Sequence, residues 1–135
     1  MDHSDKLREA GLRPTQQRLA LATMLFDYGD RHFTAEMLHE ETLAANKNIS
    51  LATIYNSLHH FAEHGLIREI NIDSGRSWFD TNTHNHFHYY DEKNMEVTDV
   101  PDTDAAQIRA LIKVPDGYSV KDLNVVVHLQ SHHKK

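Results

Sequence analysis

The sequence predicts an α+β protein in which an N-terminal winged helix-turn-helix precedes a small β-β-α-β domain. Capped helical segments fill the first half with no strand expected between them, an alternating hairpin follows, and the remainder favours strands around one helix. We expect the first domain at residues 1–80, a hinge at 81–83 and the second domain at 84–135.

N-cap residues and glycines predict two helices at the N-terminus. Ser4 is expected to cap a short helix that ends at Gly11, and Thr15 a longer helix that ends at Gly29. The second helix has apolar residues at helical spacing: Leu19, Ala22, Leu25 and Phe26.

Two further helices follow the same rules. Thr34 is expected to cap a third helix, with Met37, Leu38 and Leu43 on its inner side. Ser50 is expected to cap a fourth helix over 51–64, which Gly65 ends. Its inward stripe consists of Leu51, Ile54, Leu58 and Phe61. Its outward residues are Ala52, Thr53, Tyr55, Asn56, His59, His60 and Glu63.

A hairpin closes the first domain, because 66–72 alternates with period two and a turn at 73–75 leads into a returning strand at 76–80. In the second domain we expect strands at 84–90, at 96–100 and through 125–127. A helix at 102–114 is expected to turn its apolar residues inward: Ile108, Leu111 and Ile112. Since this domain is too small to bury a core alone, we expect it to pair with a second copy as a dimerisation domain.

Composition excludes several classes of protein. Hydrophobic residues make up 39% of the chain and charged residues 25%, which suits a folded domain. No apolar run is long enough to span a membrane and the N-terminus has no apolar signal core, so we expect a cytoplasmic chain. The absence of cysteine excludes disulfides, thiol catalysis, cysteine zinc sites and thiolate haem ligation.

Charge and histidine content bear on the binding partners. The net charge is −6, and acidic residues outnumber basic ones in both halves, so nucleic-acid binding must depend on a local patch. Twelve histidines are unusual for this length, and histidine is the commonest metal ligand.

The fourth helix has the side chains that base reading uses. Asn56 can pair with adenine, and Thr53 and Tyr55 can touch thymine methyl groups. Arg13 and Arg18 flank a helix start, where phosphates bind well. The alternative for both segments is a solvated surface helix with no partner.

His84, His86 and His88 form a second candidate site. Along a strand these alternate residues share one face, and two of them can hold one metal ion with partners from elsewhere. The alternative is a solvated histidine strand without an ion.

Several separate motifs resemble those of the ferric uptake regulator (Fur) family across nearly the whole chain. They are Gly11–Arg18, His32–Glu36, Ser50–Asn56 and Phe61–Leu66. The resemblance implies a winged-helix DNA-binding domain, a C-terminal dimerisation domain and a metal near their junction. It also implies that the chain binds double-stranded operator DNA as a homodimer, with these contact residues: Arg13, Thr15, Gln16, Arg18, Ser50, Thr53, Tyr55 and Asn56.

Departures from the family pattern suggest a branch. Asn56 stands where most members have Arg, and Asp91 and Asn94 stand in the neighbourhood of a zinc-binding cysteine pair. With the histidines at 84–88, this resembles the iron response regulator (Irr) branch, whose members repress genes of haem synthesis and iron storage when iron is scarce and lose DNA binding when haem or iron is loaded. The alternative is a repressor of the same family for which manganese, as in a manganese-responsive branch, or iron acts as corepressor.

The resemblance also implies a ligand set for the metal: His32, Asp80, His86 and His88. Three nitrogens and one carboxylate suit Fe²⁺, Zn²⁺ or Mn²⁺. A second family site is expected to be lost, because its ligand positions fall on Asn85 and Phe87, although His128 could join a variant of it.

Haem remains open, with His84, His86 and His88 as candidate ligands, although Phe87 interrupts the histidine run. The C-terminal residues 131–135 are expected to be a disordered tail with weak metal affinity.

Two alternatives belong to other classes. A metal-dependent hydrolase would need an open coordination position, which three histidines and an aspartate would close, so we expect no enzyme. A haem or metal carrier without DNA binding would leave the winged-helix half without a role.

Overall fold

A computed structural model of the chain describes residues 2–72, 75–84 and 86–132. The chain divides into two compact units, Met1–Thr83 and His84–Lys135. Among the described residues, the first unit combines four helices and the second unit one helix with a three-stranded sheet, so the predicted α+β class is confirmed. Two residues of the predicted turn (Asp73 and Ser74), Asn85 and the last three residues of the predicted tail lie outside the described residues.

The first unit has four helices and three short strands among its described residues. In chain order they are α1 (His3–Glu9), α2 (Gln16–Phe26), β1 (His32–Thr34), α3 (Ala35–Ala44), α4 (Leu51–Glu63), β2 (Arg68–Ile70) and β3 (Trp78–Asp80).

Three of the four predicted N-caps are confirmed. The hydroxyls of Thr15, Thr34 and Ser50 accept hydrogen bonds from backbone N–H groups three residues on, at 3.2, 3.1 and 3.1 Å. The prediction for α1 was wrong, because Asp2 rather than Ser4 caps it, with its carboxylate accepting from the Asp5 N–H at 2.8 Å. A carboxylate at this end also interacts favourably with the helix dipole.

The sheet of the first unit contains a strand that the sequence did not predict. Its order is β1-β3-β2, with β3 antiparallel to both neighbours. The hairpin of β2 and β3 was predicted, whereas β1 was missed. β1 is three residues long and ends directly at the α3 cap, Thr34, so it is too short to show alternation.

The core of the first unit lies between the helices and this sheet. Its fully buried residues include Leu7, Leu21, Leu25, Phe33, Leu38, Ile54, Leu58, Phe61 and Phe79. One prediction for α3 was wrong, because Leu43 is 54% exposed whereas Thr42 is fully buried. The inward residues Ala35, Leu38 and Thr42 follow an i, i+3, i+7 spacing, which Leu43 does not fit.

The second unit has the predicted β-β-α-β order: β4 (His88–Asp91), β5 (Glu96–Asp99), α5 (Asp102–Ala110) and β6 (Val126–His128). β4 lies in the middle, antiparallel to β5 and parallel to β6. The strand predicted at 84–90 begins only at His88, so His84 and His86 precede it.

The second unit buries few apolar side chains. Among its described residues these are Phe87, Tyr90, Val97, Val100 and Ala105, of which Phe87, Val100 and Ala105 pack as one cluster. The predicted helix at 102–114 ends at Ala110, and the expected inward positions Leu111 and Ile112 are 79% and 46% exposed. Leu111 is the C-cap of the shortened helix, so helical spacing no longer sets its direction. Within the described part of the chain, no helix has the length and apolar character needed to cross a membrane.

Candidate functional site

Sheet register brings two predicted metal ligands together in the first unit. His32 of β1 is the pairing partner of Asp80 of β3, and His32 Nε2 lies 3.1 Å from Asp80 Oδ2. Asp80 is only 1% exposed, and its other oxygen accepts the Asn82 N–H at 2.9 Å. A buried polar group needs such partners to offset its loss of hydration. The pair therefore offers one imidazole nitrogen and one carboxylate oxygen.

Neighbouring contacts hold His32 in place. The backbone N–H of Arg31 donates to Thr81 Oγ1 at 2.9 Å, and the Thr81 N–H donates to the Arg31 carbonyl at 3.1 Å. The Arg31 guanidinium donates two hydrogen bonds to the Glu41 carboxylate of α3, at 2.8 and 2.6 Å. Because this bidentate geometry is specific, β1 is fastened both to β3 and to α3.

The second unit holds a separate set of three donors. His86 Nε2 lies 3.1 Å from His88 Nε2, and Asp99 Oδ1 lies 3.2 Å from the first and 3.7 Å from the second. His86 is 5% exposed and His88 is fully buried. Two imidazole nitrogens and a carboxylate at these distances form a donor set that suits a divalent cation.

A further contact orients His86. Its Nδ1 pairs with the backbone carbonyl of His84, so its Nε2 faces His88 and Asp99. Such a contact to the remote nitrogen fixes the tautomer and the ring orientation of a metal-ligating histidine.

The structure treats the predicted histidines differently. His86 and His88 are brought together, whereas His84 is exposed and supplies a backbone carbonyl to the set. The predicted alternation of all three along one strand was wrong, since only His88 belongs to β4. Phe87 is fully buried in the core, and the exposed His128 packs edge-on against Tyr90 with ring centroids 5.8 Å apart.

Asp99 was missed by the sequence analysis. It is the β5 partner of His88, and Asp91 pairs with Glu96 in the same ladder. Counting residues outward from the turn between these strands would have placed an acidic side chain opposite His88. Exposed acidic residues at strand ends are common, which is why the residue type alone gave no signal.

The predicted DNA-contacting hydroxyls also stabilise helices. Thr15 and Ser50 are the N-caps of α2 and α4, and Ser50 Oγ also donates to Thr53 Oγ1 at 2.9 Å. Arg18 donates to the Arg13 carbonyl at 2.9 Å, and its second terminal nitrogen lies 3.3 Å from His60 Nδ1. Arg13, Gln16 and Asn56 are exposed.

Tyr55 is tied to a neighbouring helix. Its hydroxyl donates to Glu36 Oε2 of α3 at 2.6 Å, and its ring lies alongside His59, 6.4 Å between centroids and inclined by 21°. The hydrogen bond to Glu36 raises the pKa of the Tyr55 hydroxyl, with partial burial and the Glu36 charge in the same direction and Arg76 opposing them. The phenol therefore keeps its hydrogen and donates it in the hydrogen bond to the Glu36 carboxylate.

The first unit combines four helices with a β2–β3 hairpin, and a small β-β-α-β unit follows it. This is the architecture of a winged-helix protein with a second domain, and both units have nitrogen and carboxylate donors of the types that bind metals. The sequence profile of the Ferric uptake regulator family matches residues 9–128. The chain therefore belongs to this family. Its members are transcription regulators rather than enzymes, in agreement with the expectation that this chain is not an enzyme.

Individual relatives give the same result. The peroxide-responsive repressor PerR of Staphylococcus epidermidis is 40% identical over 93 residues, which cover 69% of this chain and 61% of the relative. The matched part of the chain thus spans less than two thirds of that repressor.

Two solved structures are similar to this chain over their whole length. The ferric uptake regulator of Vibrio cholerae is 25% identical, with 96% of this chain and all of that chain covered and a TM-score of 0.83. The ferric uptake regulator of Pseudomonas aeruginosa, solved with manganese, is 28% identical, with 98% and 100% covered and a TM-score of 0.78.

Proposed function

We propose that this chain is a metal-responsive transcriptional repressor that binds operator DNA as a homodimer in the cytoplasm. The observations that carry the proposal are the convergence of His86, His88 and Asp99 in the second unit and the pairing of His32 with Asp80 in the first. These donors sit on a fold whose relatives are named as repressors and metal uptake regulators.

The donor chemistry fits a divalent transition metal. Imidazole nitrogens with carboxylate oxygens suit Fe²⁺, Mn²⁺ and Zn²⁺, and the donors include no thiolate. We propose that one ion takes His32, Asp80, His86 and His88 as ligands, with Asp99 as a fifth. When bound, the ion would join donors from both units and so restrict their relative orientation. Donor type alone does not choose among the three metals.

Exposed apolar side chains on the second unit support the homodimer. Leu111, Tyr118 and Val120 are 79%, 76% and 52% exposed, which is unusual beside a buried cluster as small as that of this unit. A second copy packed against these residues would supply the apolar burial that the unit lacks. A two-fold dimer would also present two α4 helices to successive major grooves.

Metal loading could either end or promote DNA binding by this chain. The Irr-like form, in which haem or iron loading ends repression of haem-synthesis and iron-storage genes, is supported by Asn56 after Tyr55 and by the absence of cysteine. The alternative is corepression by Mn²⁺ or Fe²⁺, which the manganese-containing relative favours. A response to peroxide is a third form of the proposal, and it is suggested by the peroxide-responsive repressor that is 40% identical to this chain.

Haem ligation would require a rearrangement. Of the candidate ligands His84, His86 and His88, the last two are buried against each other, so a haem would have to displace their packing before both could bind iron. A small ion needs no such change. The alternative of a carrier without DNA binding predicts the same ligands but no affinity for duplex DNA.

The test pairs two measurements on the full chain. Mn²⁺, Fe²⁺ and haem binding are measured by equilibrium dialysis and visible absorbance, and DNA binding by anisotropy on a duplex that the protein enriches from a random-sequence library. His86→Ala and His88→Ala should abolish tight metal binding, whereas His128→Ala, an exposed histidine of the same unit, should leave it unchanged.

The outcomes separate the alternatives. DNA binding strengthened by Mn²⁺ and indifferent to haem supports corepression, and DNA binding lost on haem or Fe²⁺ loading supports the Irr-like form. Loss of DNA binding only after hydrogen peroxide treatment of the iron-loaded protein supports a peroxide response. Metal or haem binding without any salt-dependent duplex binding would overturn the repressor and support a carrier.

A further inference from the structure

We propose that Glu36 is a positioning residue for DNA reading: its carboxylate holds the Tyr55 hydroxyl, so that Tyr55 meets a base through its ring rather than by donating a hydrogen bond. The inference rests on the proposed function, because it concerns how the predicted recognition helix α4 contacts operator DNA. It adds a residue on α3, outside the residues expected to read DNA.

Glu36 and Tyr55 form a hydrogen bond between neighbouring helices. Glu36 lies in the first turn of α3 and Tyr55 in the second turn of α4, and their side-chain oxygens are 2.6 Å apart. A hydroxyl donating to an ionised carboxylate at this distance forms a short, charge-assisted hydrogen bond. The link therefore joins the two helices of the helix-turn-helix on the side where Tyr55 is accessible.

The Tyr55 hydroxyl has a single hydrogen to donate. A phenol has one O–H, and here Glu36 takes it. A phosphate oxygen can only accept, so the occupied hydroxyl has nothing to offer it, and the adjacent carboxylate would repel it. Tyr55 therefore has no hydrogen left to donate, and its hydroxyl oxygen can only accept. The largest surface that it offers to DNA is the aromatic ring, which suits the methyl group of thymine.

The Tyr55 ring also has an aromatic neighbour on its own helix. His59, one turn further along α4, lies alongside it at 6.4 Å, and His59 in turn packs edge-on against Phe79 at 6.0 Å and lies 3.6 Å from Glu69. A side chain fixed before binding loses less conformational entropy when it meets its partner. The tether thus prepares Tyr55 for apolar contact.

This role also accounts for the position of Glu36 itself. A carboxylate exposed beside a DNA-reading helix opposes binding through phosphate repulsion. Glu40, another exposed acidic residue of α3, serves as a matched control for charge alone.

The experiment measures thymine-methyl readout. Duplexes enriched by the protein from a random library are resynthesised with uracil replacing each thymine in turn, and affinities are compared for the wild type, Glu36→Ala, Glu36→Gln, Tyr55→Phe, Tyr55→Ala and Glu40→Gln. For the wild type we expect about a five- to tenfold loss at one thymine per half-site. In Glu36→Ala and in Tyr55→Phe, replacing that thymine with uracil should reduce affinity by less than in the wild type. The double variant Glu36→Ala/Tyr55→Phe should show no further change.

Glu36→Gln retains an oxygen acceptor and should keep the methyl preference, while Glu40→Gln should only raise affinity evenly on all duplexes. Equal sensitivity to uracil in Glu36→Ala and the wild type would overturn the inference. So would a loss from Tyr55→Phe that is undiminished in the Glu36→Ala background, since the hydroxyl would then contact DNA. Failure to enrich any duplex would overturn the proposed function instead. Circular dichroism melting confirms that each variant is folded.

Discussion

His32 and Asp80 are pairing partners in the β1–β3 ladder, and their side chains meet at 3.1 Å between Nε2 and Oδ2. The contact follows from backbone register, so it exists in the protein before any ion arrives. The two side chains therefore need little reorganisation when an ion binds, which favours tight binding.

The first prediction concerns this pair. Asp80→Asn removes a buried negative charge but keeps the shape of the side chain, so Mn²⁺ affinity should fall by at least about tenfold. Equilibrium dialysis measures it. Asp30→Asn changes the same charge at an exposed position near His32 and should have little effect. Unchanged affinity in Asp80→Asn would show that Asp80 is not a ligand.

The second prediction concerns the exposed apolar side chains of the second unit. Leu111→Asp combined with Tyr118→Asp should convert dimer to monomer in sedimentation equilibrium, because each apolar side chain buried in an interface contributes about 1.5–3 kcal/mol. Leu43→Asp is the control, since Leu43 is likewise apolar and exposed but lies on α3. A double variant that sediments like the wild type would place the interface elsewhere.

The third prediction concerns base reading by Asn56, which is exposed on α4. Asn56→Ala should cost about 1–3 kcal/mol of binding free energy at one base position and relax specificity there. Anisotropy titrations on single-base variants of the enriched duplex measure this. Asn48→Ala, in the exposed segment before α4, should not alter specificity. An equal loss on every duplex would instead assign Asn56 to the phosphate backbone.

The fourth prediction is a pH dependence at the first helix. The hydrogen bond from the Asp5 backbone N–H lowers the pKa of Asp2 from its ordinary value of 3.8. Only the carboxylate caps the helix well, so its contribution is complete above the unfolded pKa and disappears as pH falls through the lowered folded pKa. The Asp5 amide shift in NMR should titrate with a midpoint below 3.8, and Asp2→Asn should remove that titration.

Local rules predicted much of the first unit. Thr15, Thr34 and Ser50 were identified as caps because hydroxyls before an apolar periodic segment satisfy free N–H groups, whatever the tertiary structure. For α1 two capping residue types, Asp2 and Ser4, stand close together, and the prediction of Ser4 was wrong. His32 and Asp80 were placed through the family resemblance, not through the missed strand β1.

Long-range pairing explains what could not be predicted. β1 exists because β3 offers it a free edge, and a three-residue strand carries no periodicity of its own. Asp99 joins His88 only through the register of β4 and β5. The exposure of Leu111 depends on where α5 ends, and element boundaries are the least certain part of any pattern.

Asp80 pairs with His32 on one side and with Arg68 on the other. This double pairing determines where along the gene an inserted codon would be tolerated. Codons added between β2 and β3 would lengthen the loop without moving the histidine–aspartate contact. A single codon inserted inside β1 would shift its side chains by one place and point His32 to the opposite face. Length variation among natural variants should therefore collect in the former segment and be absent from the latter.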